Sequence, residues 1–333
     1  MASERREAGA ARRPAGATRD GTGSAPGDGA ELGARLRGGD RAAAPAALNL
    51  LETRTAREQA AALVAAAGEG DGHIVGVTGP PGVGKSTLLS ALVREWRSRG
   101  RSVAVLAVDP SSKRSGGSLL GDRARIEHDP ADRDVFIRSM AAGERLGGLA
   151  PATRAAAQAL ANAFDVVVIE TVGVGQSETE VAEAADTVAV VVQPGAGDVL
   201  QFLKAGIMEV PDLLVVTKAD VGAPASRAVR DLEAALRALG TEAPVLAVSA
   251  LPPGRGIEAL ADAFDAHRTG LDVAAARLAA RRAGALGDFA AEHGERGLRA
   301  LGGRAGAERL LTRQDAALDE PALVRALEAA AGI

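Results

Sequence analysis

The chain has no cysteine and no tyrosine, only five phenylalanines and one tryptophan, and just four lysines among its 39 lysine and arginine residues. Without cysteine, disulfides and thiolate metal centres are excluded. Aromatic residues make up 2% of 333 residues, so the core must be aliphatic, although hydrophobic residues at 47% and charged residues at 25% describe an ordinary globular protein. Alanine, valine and leucine have to fill it. A net charge of −4 offers no basic field to a phosphate backbone, so no nucleic-acid partner is expected. The sequence has no stretch of about 18 uncharged apolar residues, and its first residues lack the apolar segment of a secretion signal. No membrane partner is expected, and the expected location is the cytoplasm.

Residues 1–30 are rich in Gly, Ala, Arg and Pro without apolar periodicity, which predicts a disordered tail. From 31 to 71 the apolar spacing is helical, with a break at Gly38-Gly39. Short continuous apolar strands then alternate with helical segments: 73–78, 102–108, 134–138, 165–170, 187–193, 213–218 and 243–249. That alternation predicts an α/β domain over 72–268, with a mostly parallel sheet covered by helices on both faces. Residues 269–333 return to helical spacing and form a C-terminal extension, in which Arg281-Arg282 read as a solvated face.

"HIVGVTGPPGVGKSTLLSALV" runs from a buried strand into an amphipathic helix, and Gly79, Gly84, Lys85 and Ser86 satisfy G-x-x-x-x-G-K-[ST]. In such a loop Gly79, Pro80, Pro81, Gly82, Val83 and Gly84 curl their backbone around a phosphate. The helix beginning at Lys85, Ser86 and Thr87 adds its positive end. Lys85 then reaches the β and γ oxygens, and Ser86 holds Mg²⁺ through its hydroxyl. Asp109 and Glu170 end two further strands on the carboxyl edge, where open α/β sheets bind ligands and where both can join the metal shell. Acids just after strands are common, so each also has the plain reading of a loop carboxylate. Glu170 is followed by Gly173 in an E-x-x-G pattern, in which a mobile glycine N–H can sense a γ-phosphate.

The scarce lysines sharpen the other end of the site. Lys218 lies in "VVTKAD", at the end of a later strand, where the base of a nucleotide held at 79–87 would lie. A carboxylate at Asp220 accepts from the ring N–H and exocyclic amine of guanine, a donor pair that adenine lacks. The stem of Lys218 lies along the purine face. Ser249 and Ala250, with Leu251 after them, follow the last strand, where a backbone N–H meets the 6-oxo group. Alone, T-K-A-D also fits a helix start capped by Asp220; its place after a P-loop and E-x-x-G favours guanine.

"GPPGVGKST", "DPSS" (109–112), "GGSLLGDRARI" (116–126), "FIRS" (136–139), "ETVGVGQSE" (170–178) and "GDVLQFLKAGIMEVPDLLVVTKAD" (197–220) resemble the MeaB/ArgK family of SIMIBI-class P-loop GTPases. The resemblance covers about residues 31–268 and, more loosely, "AEHGERGLRALGG" (291–303). It implies a GTP-hydrolysing chaperone that uses Mg²⁺, gates cofactor loading and protects an adenosylcobalamin-dependent acyl-CoA mutase of the methylmalonyl-CoA type. It further implies Lys85, Asp109, Asp122 and Glu170 as catalytic residues, Asp122 being the switch-region acid, and a homodimer formed through the C-terminal helices. Thr217 departs from the commoner Asn and is expected to weaken the brace on the P-loop. Val174 stands where many GTPases carry a water-orienting glutamine, so intrinsic hydrolysis is expected to be slow and partner-stimulated.

Two other enzyme readings compete. A metallochaperone GTPase needs Cys and His clusters, but cysteine is absent and His73, His128, His267 and His293 are scattered along the sequence. A P-loop kinase uses ATP, against which T-K-A-D followed by S-A-L argues. A purely structural module leaves unexplained why two of the four lysines stand in GKS and TKAD.

Overall fold

The computed structural model describes residues 28–53, 55–109, 126–141, 151–171, 181–195, 211–241 and 243–333. The first helices, α1 (Gly29–Arg37), α2 (Ala44–Glu52) and α3 (Arg57–Ala67), precede strand β1 (His73–Thr78). Helix α1 starts inside the stretch 1–30 expected as a tail, because the Asp28 carboxylate accepts from Ala30 N at 3.0 Å and caps it. Residues 1–27 lie outside the described residues.

After β1 come α4 (Lys85–Ser98), β2 (Val103–Asp109), β3 (Val135–Ala141), α5 (Pro151–Leu160), β4 (Val166–Thr171), β5 (Thr187–Val192), β6 (Leu213–Val216), α6 (Ala223–Leu239), β7 (Val245–Ala247) and α7 (Ile257–Gly270). Each expected strand is present, with ends moved by a few residues. All seven strands run parallel in the order β3-β2-β4-β1-β5-β6-β7. Side chains alternate across this sheet, as pleating requires. Ile74, Leu106, Val167 and Ile169 face α1, α2, α3 and α5, and Leu36, Leu48 and Leu63 pack into the same core. Val75, Val77, Val105 and Val168 face α4 and α7, where Trp96 meets Phe264.

Three aspartates start the central strands with a recurrent clasp. Asp165 precedes β4 and accepts from Ser102 N at 2.7 Å. Asp186 precedes β5 and accepts from Ile74 N at 2.9 Å, and Asp212 precedes β6 and accepts from Val188 N at 2.8 Å. A parallel strand leaves amide hydrogens unpaired where its neighbour begins, and a short carboxylate there satisfies them without lengthening the ladder.

The C-terminal helices α8 (Val273–Ala300), α9 (Arg304–Thr312) and α10 (Glu320–Ala331) enclose a separate apolar cluster of Leu286, Phe289, Leu298, Leu311, Leu323 and Leu327. Arginines fasten this unit to the sheet domain. Arg277 donates to both oxygens of Asp186, at 2.7 and 2.6 Å, and to Gly72 O at 2.7 Å. Arg154 of α5 bridges Glu320 at 2.5 Å and Asp288 at 2.9 Å. The expected solvated face at 281–282 is corrected here: Arg281 is only 8% exposed, pairs with Glu69 and donates to Ala316 O at 3.0 Å. Its guanidinium faces the sheet domain because α8 turns that side inward.

Candidate functional site

In an all-parallel sheet every strand delivers its last residue to one rim. Since β4 and β5 flank β1, the ends of β1, β4, β5 and β6 are neighbours there. The chain leaves β1 at Thr78 and must turn sharply over β5. Gly79 has φ +145°, and a Cβ at that position would sit 2.1 Å from Val191 O, so no side chain fits. Gly82 and Gly84 have φ +79° and +97°, in the region that L side chains avoid. Pro80, Pro81 and Val83 complete the turn, and α4 begins at Lys85 with Leu88, Leu89, Leu92, Val93 and Trp96 buried beneath it.

Lys85 is 7% exposed and folds back over this turn, donating to Gly79 O at 2.7 Å and Pro80 O at 3.1 Å. Glu170 on β4 lies in register with Val77 of β1, which sets its carboxylate beside the start of α4. There Ser86 donates to Glu170 Oε1 at 3.1 Å. Two hard oxygen donors at that separation fit adjacent positions of an octahedral Mg²⁺, whose bonds of about 2.1 Å at right angles place ligands roughly 3 Å apart. Asp109 ends β2 next to Ala141, on the same rim. Asp122, Gly173 and Val174 lie outside the described residues, as do most of "GGSLLGDRARI" and residues 197–210.

Thr217 follows β6 and donates to Val83 O at 2.7 Å and Val192 O at 3.0 Å. The brace expected to be weaker with threonine is present, made by the hydroxyl in place of an amide. A threonine hydroxyl reaches the P-loop carbonyl directly, because Thr217 is pinned by its own N–H to Val192 O at 2.9 Å. Lys218 takes φ +55°, which turns its side chain out along the rim to Gln193. Asp220 accepts from Ser249 Oγ at 2.7 Å. That hydrogen bond, with help from Arg255 and Lys218, holds its carboxyl below the usual carboxylate range. An ionised Asp220 can only accept, so it suits a base edge presenting donors. Ser249 is set by reciprocal backbone bonds with Arg255, 2.9 Å each way, while Leu251 is exposed beside Ala250.

Sequence reasoning missed Gln193, Thr78 and Thr171. Gln193 follows an apolar strand on the ligand rim, and that polar ending was a usable signal. Thr171 donates to Thr78 at 2.8 Å, tying the end of β4 to the foot of the P-loop; two threonines 93 residues apart give no such signal in sequence. The histidines are also closer than their spacing suggests. His73 and His267 both bond Thr187 Oγ1 at 2.8 Å, at the opposite rim of the sheet from Lys85.

A parallel sheet whose first strand opens into this glycine turn and lysine-headed helix defines a P-loop nucleotide-binding protein. Its family follows from comparison. Residues 44–292 match the family model described as methylmalonyl-CoA mutase-associated GTPase MeaB, and the chain belongs to that family. A putative GTPase of Pyrococcus abyssi is 44% identical over 249 residues, spanning 73% of this chain and 76% of that protein. GTPase ArgK of Escherichia coli is 45% identical over 195 residues, 56% of this chain and 58% of that one. The mitochondrial methylmalonic aciduria type A homolog of Mus musculus is 42% identical over 171 residues, 50% and 40% of the two chains. The solved structure of an LAO/AO transport system kinase superposes with a TM-score of 0.58 at 34% identity, over 76% of this chain and 80% of that one.

Proposed function

We propose that this chain binds Mg²⁺ with GTP or GDP along the carboxyl rim, hydrolyses GTP slowly on its own, and uses that cycle to gate cofactor loading of an adenosylcobalamin-dependent acyl-CoA mutase. The observation that carries the nucleotide reading is the Thr217 bond to Val83. It joins the base-reading segment to the phosphate turn, so occupancy at one end is felt at the other. In this reading Lys85 leaves its two loop carbonyls for the β and γ oxygens. Ser86, Glu170 and Asp109 share the metal, which when bound neutralises charge developing on the phosphates. Asp220 accepts from guanine, and Lys218 lies over the purine face. Asp122 and Gly173 answer to the γ-phosphate, and Val174 in place of a glutamine leaves the attacking water to be oriented by a partner.

The mutase role is supported by the family description and by the resemblance quoted above, and the C-terminal helices are the proposed dimer contact of a cytoplasmic protein. Calorimetry with GDP and ADP tests the first half. GDP is expected to bind tighter by two orders of magnitude or about 3 kcal/mol, and Asp220→Asn to erase most of that margin. Equal affinities in the unaltered protein would overturn the guanine assignment. Co-purification with a cobalamin-dependent mutase, repeated with GDP and with a non-hydrolysable GTP analogue, tests the second half. A contact indifferent to the nucleotide would remove the gate.

A further inference from the structure

The C-terminal unit holds a cluster that the nucleotide site does not use. Glu292 and His293 on α8 and Glu328 on α10 present one ligand atom each, all within 4.8 Å of one another. We propose that these three side chains form a binding site for a divalent transition cation of the zinc class, clasping α8 to α10.

The geometry points to a cation in three ways. First, His293 Nε2 and Glu328 Oε1 lie 3.2 Å apart. Zinc bonds of about 2.0–2.1 Å at a tetrahedral angle set neighbouring ligand atoms roughly 3.3 Å apart, so this pair already has the edge length of a coordination shell. Bringing in the third atom needs a shift of up to roughly 1.5 Å, within the reach of a Glu side chain rotating between staggered positions. Second, the imidazole is positioned. Its ring packs on Phe289 with centroids 4.9 Å apart, while Phe289 itself is buried in the core of the unit. Third, the helix is interrupted immediately after the cluster. Gly294 has φ +58° and ψ −161°, so the first part of α8 ends at His293 and its last carbonyls add negative potential where the two carboxylates stand.

The chemistry of the set selects the ion. Two carboxylates and a neutral imidazole balance a divalent charge, and the nitrogen favours zinc, cobalt or nickel over manganese, magnesium or calcium. His293 and Glu328 are partly sheltered, with side chains 16% and 29% exposed, whereas Glu292 is exposed, which leaves a path for entry and a place for water. The competing account is an ordinary imidazole–carboxylate ion pair between two helices. It uses the same 3.2 Å contact but requires neither Glu292 nor the helix break.

The test uses the full, untagged chain, stripped of metal and nucleotide, titrated with Zn²⁺ against a chelating dye and with Co²⁺ by visible absorption. The background carries Ser86→Ala and Glu170→Gln, which takes two of the three proposed ligands from the phosphate-end metal position, and His293→Gln is read as a difference within that background. One Zn²⁺ per chain and ligand-field bands for Co²⁺ are expected. His293→Gln should lower Zn²⁺ affinity by on the order of a hundredfold and remove the bands, because a ligand is lost outright. If His293→Gln fails to fold, the exposed Glu292→Gln serves instead, with roughly tenfold weaker binding expected. No stoichiometric metal in that background chain, or unaltered affinity in the substituted chain that folds, would leave only the ion pair and overturn the site. The outcome is independent of guanine recognition, which is measured with GDP and Asp220.

Discussion

The two rims of the sheet treat charge in opposite ways. At the amino rim, acids and bases close on one another: Asp186, with a side chain 1% exposed, takes hydrogen bonds from Arg277, Arg268 and Ile74 N. At the carboxyl rim, Lys85 bonds the turn, Ser86 bonds Glu170 and Asp220 accepts from Ser249, on a path that a nucleotide would follow. Buried charge is tolerated at the amino rim because every partner belongs to the chain. The same residue types at the other rim are arranged around a place for a ligand. A perturbed or buried charge thus marks function only where its partners are of the kind that a ligand can replace.

The contrast can be broken most severely at the amino rim. Asp186→Ala leaves the buried Arg277 guanidinium without its carboxylate, and a loss of about 3–5 kcal/mol is expected in urea unfolding, with part of the chain failing to fold. A cost below about 1 kcal/mol would mean that the clasp carries little. At the carboxyl rim Lys85→Ala should do the reverse. GDP affinity is expected to fall by about 3 kcal/mol, while the urea midpoint without nucleotide stays close to that of the unaltered protein.

Acid sharpens the comparison. Burial first, then the nearby Arg268, pushes the His73 imidazole down from 6.5 to about 4. The unfolded chain therefore takes up this proton first as pH falls, so the stability His73 contributes is complete above pH 6.5 and is lost between there and about pH 4. The loss is on the order of 3 kcal/mol. Asp186, held low by Arg277 against the opposing effect of burial, keeps its charge through that window. Urea midpoints measured across it should fall with pH, and His73→Asn should flatten the slope; a parallel slope in the variant would assign the acid sensitivity elsewhere. The smallest effect belongs to the link between the two ends of the nucleotide groove. Thr217→Val removes the donor to Val83 O, and GDP affinity should weaken by about 1–2 kcal/mol with the GDP over ADP preference largely kept. Loss of the preference itself would make Thr217 a base reader rather than a brace.

Much of the fold was legible because its signals are local. Short continuous β-branched runs alternating with helical segments favour strands covered on both faces, and the glycine positions of "GPPGVGKST" favour a turn into a helix. Asp220 and Lys218 were legible for a related reason, since a strand end in a parallel sheet has one destination. Arg281 was misread because periodicity assigns a face of a helix to solvent without knowing what lies opposite. The three strand-starting aspartates were visible before "VVVIE", "TVAVVV" and "LLVV", yet their clasp depends on which strands are neighbours.

The sequence by itself determined the element order, the phosphate turn and the donor and acceptor groups carried by Thr217, Lys218 and Asp220 after β6, because each rests on dihedral preferences and hydrogen-bonding groups within a few consecutive residues. Only the tertiary structure decided that Thr217 meets Val83, that His73 meets His267 across Thr187, and that Arg277 closes on Asp186. Those contacts join residues 80 to 134 positions apart, and their existence follows from the order in which parallel strands are laid side by side.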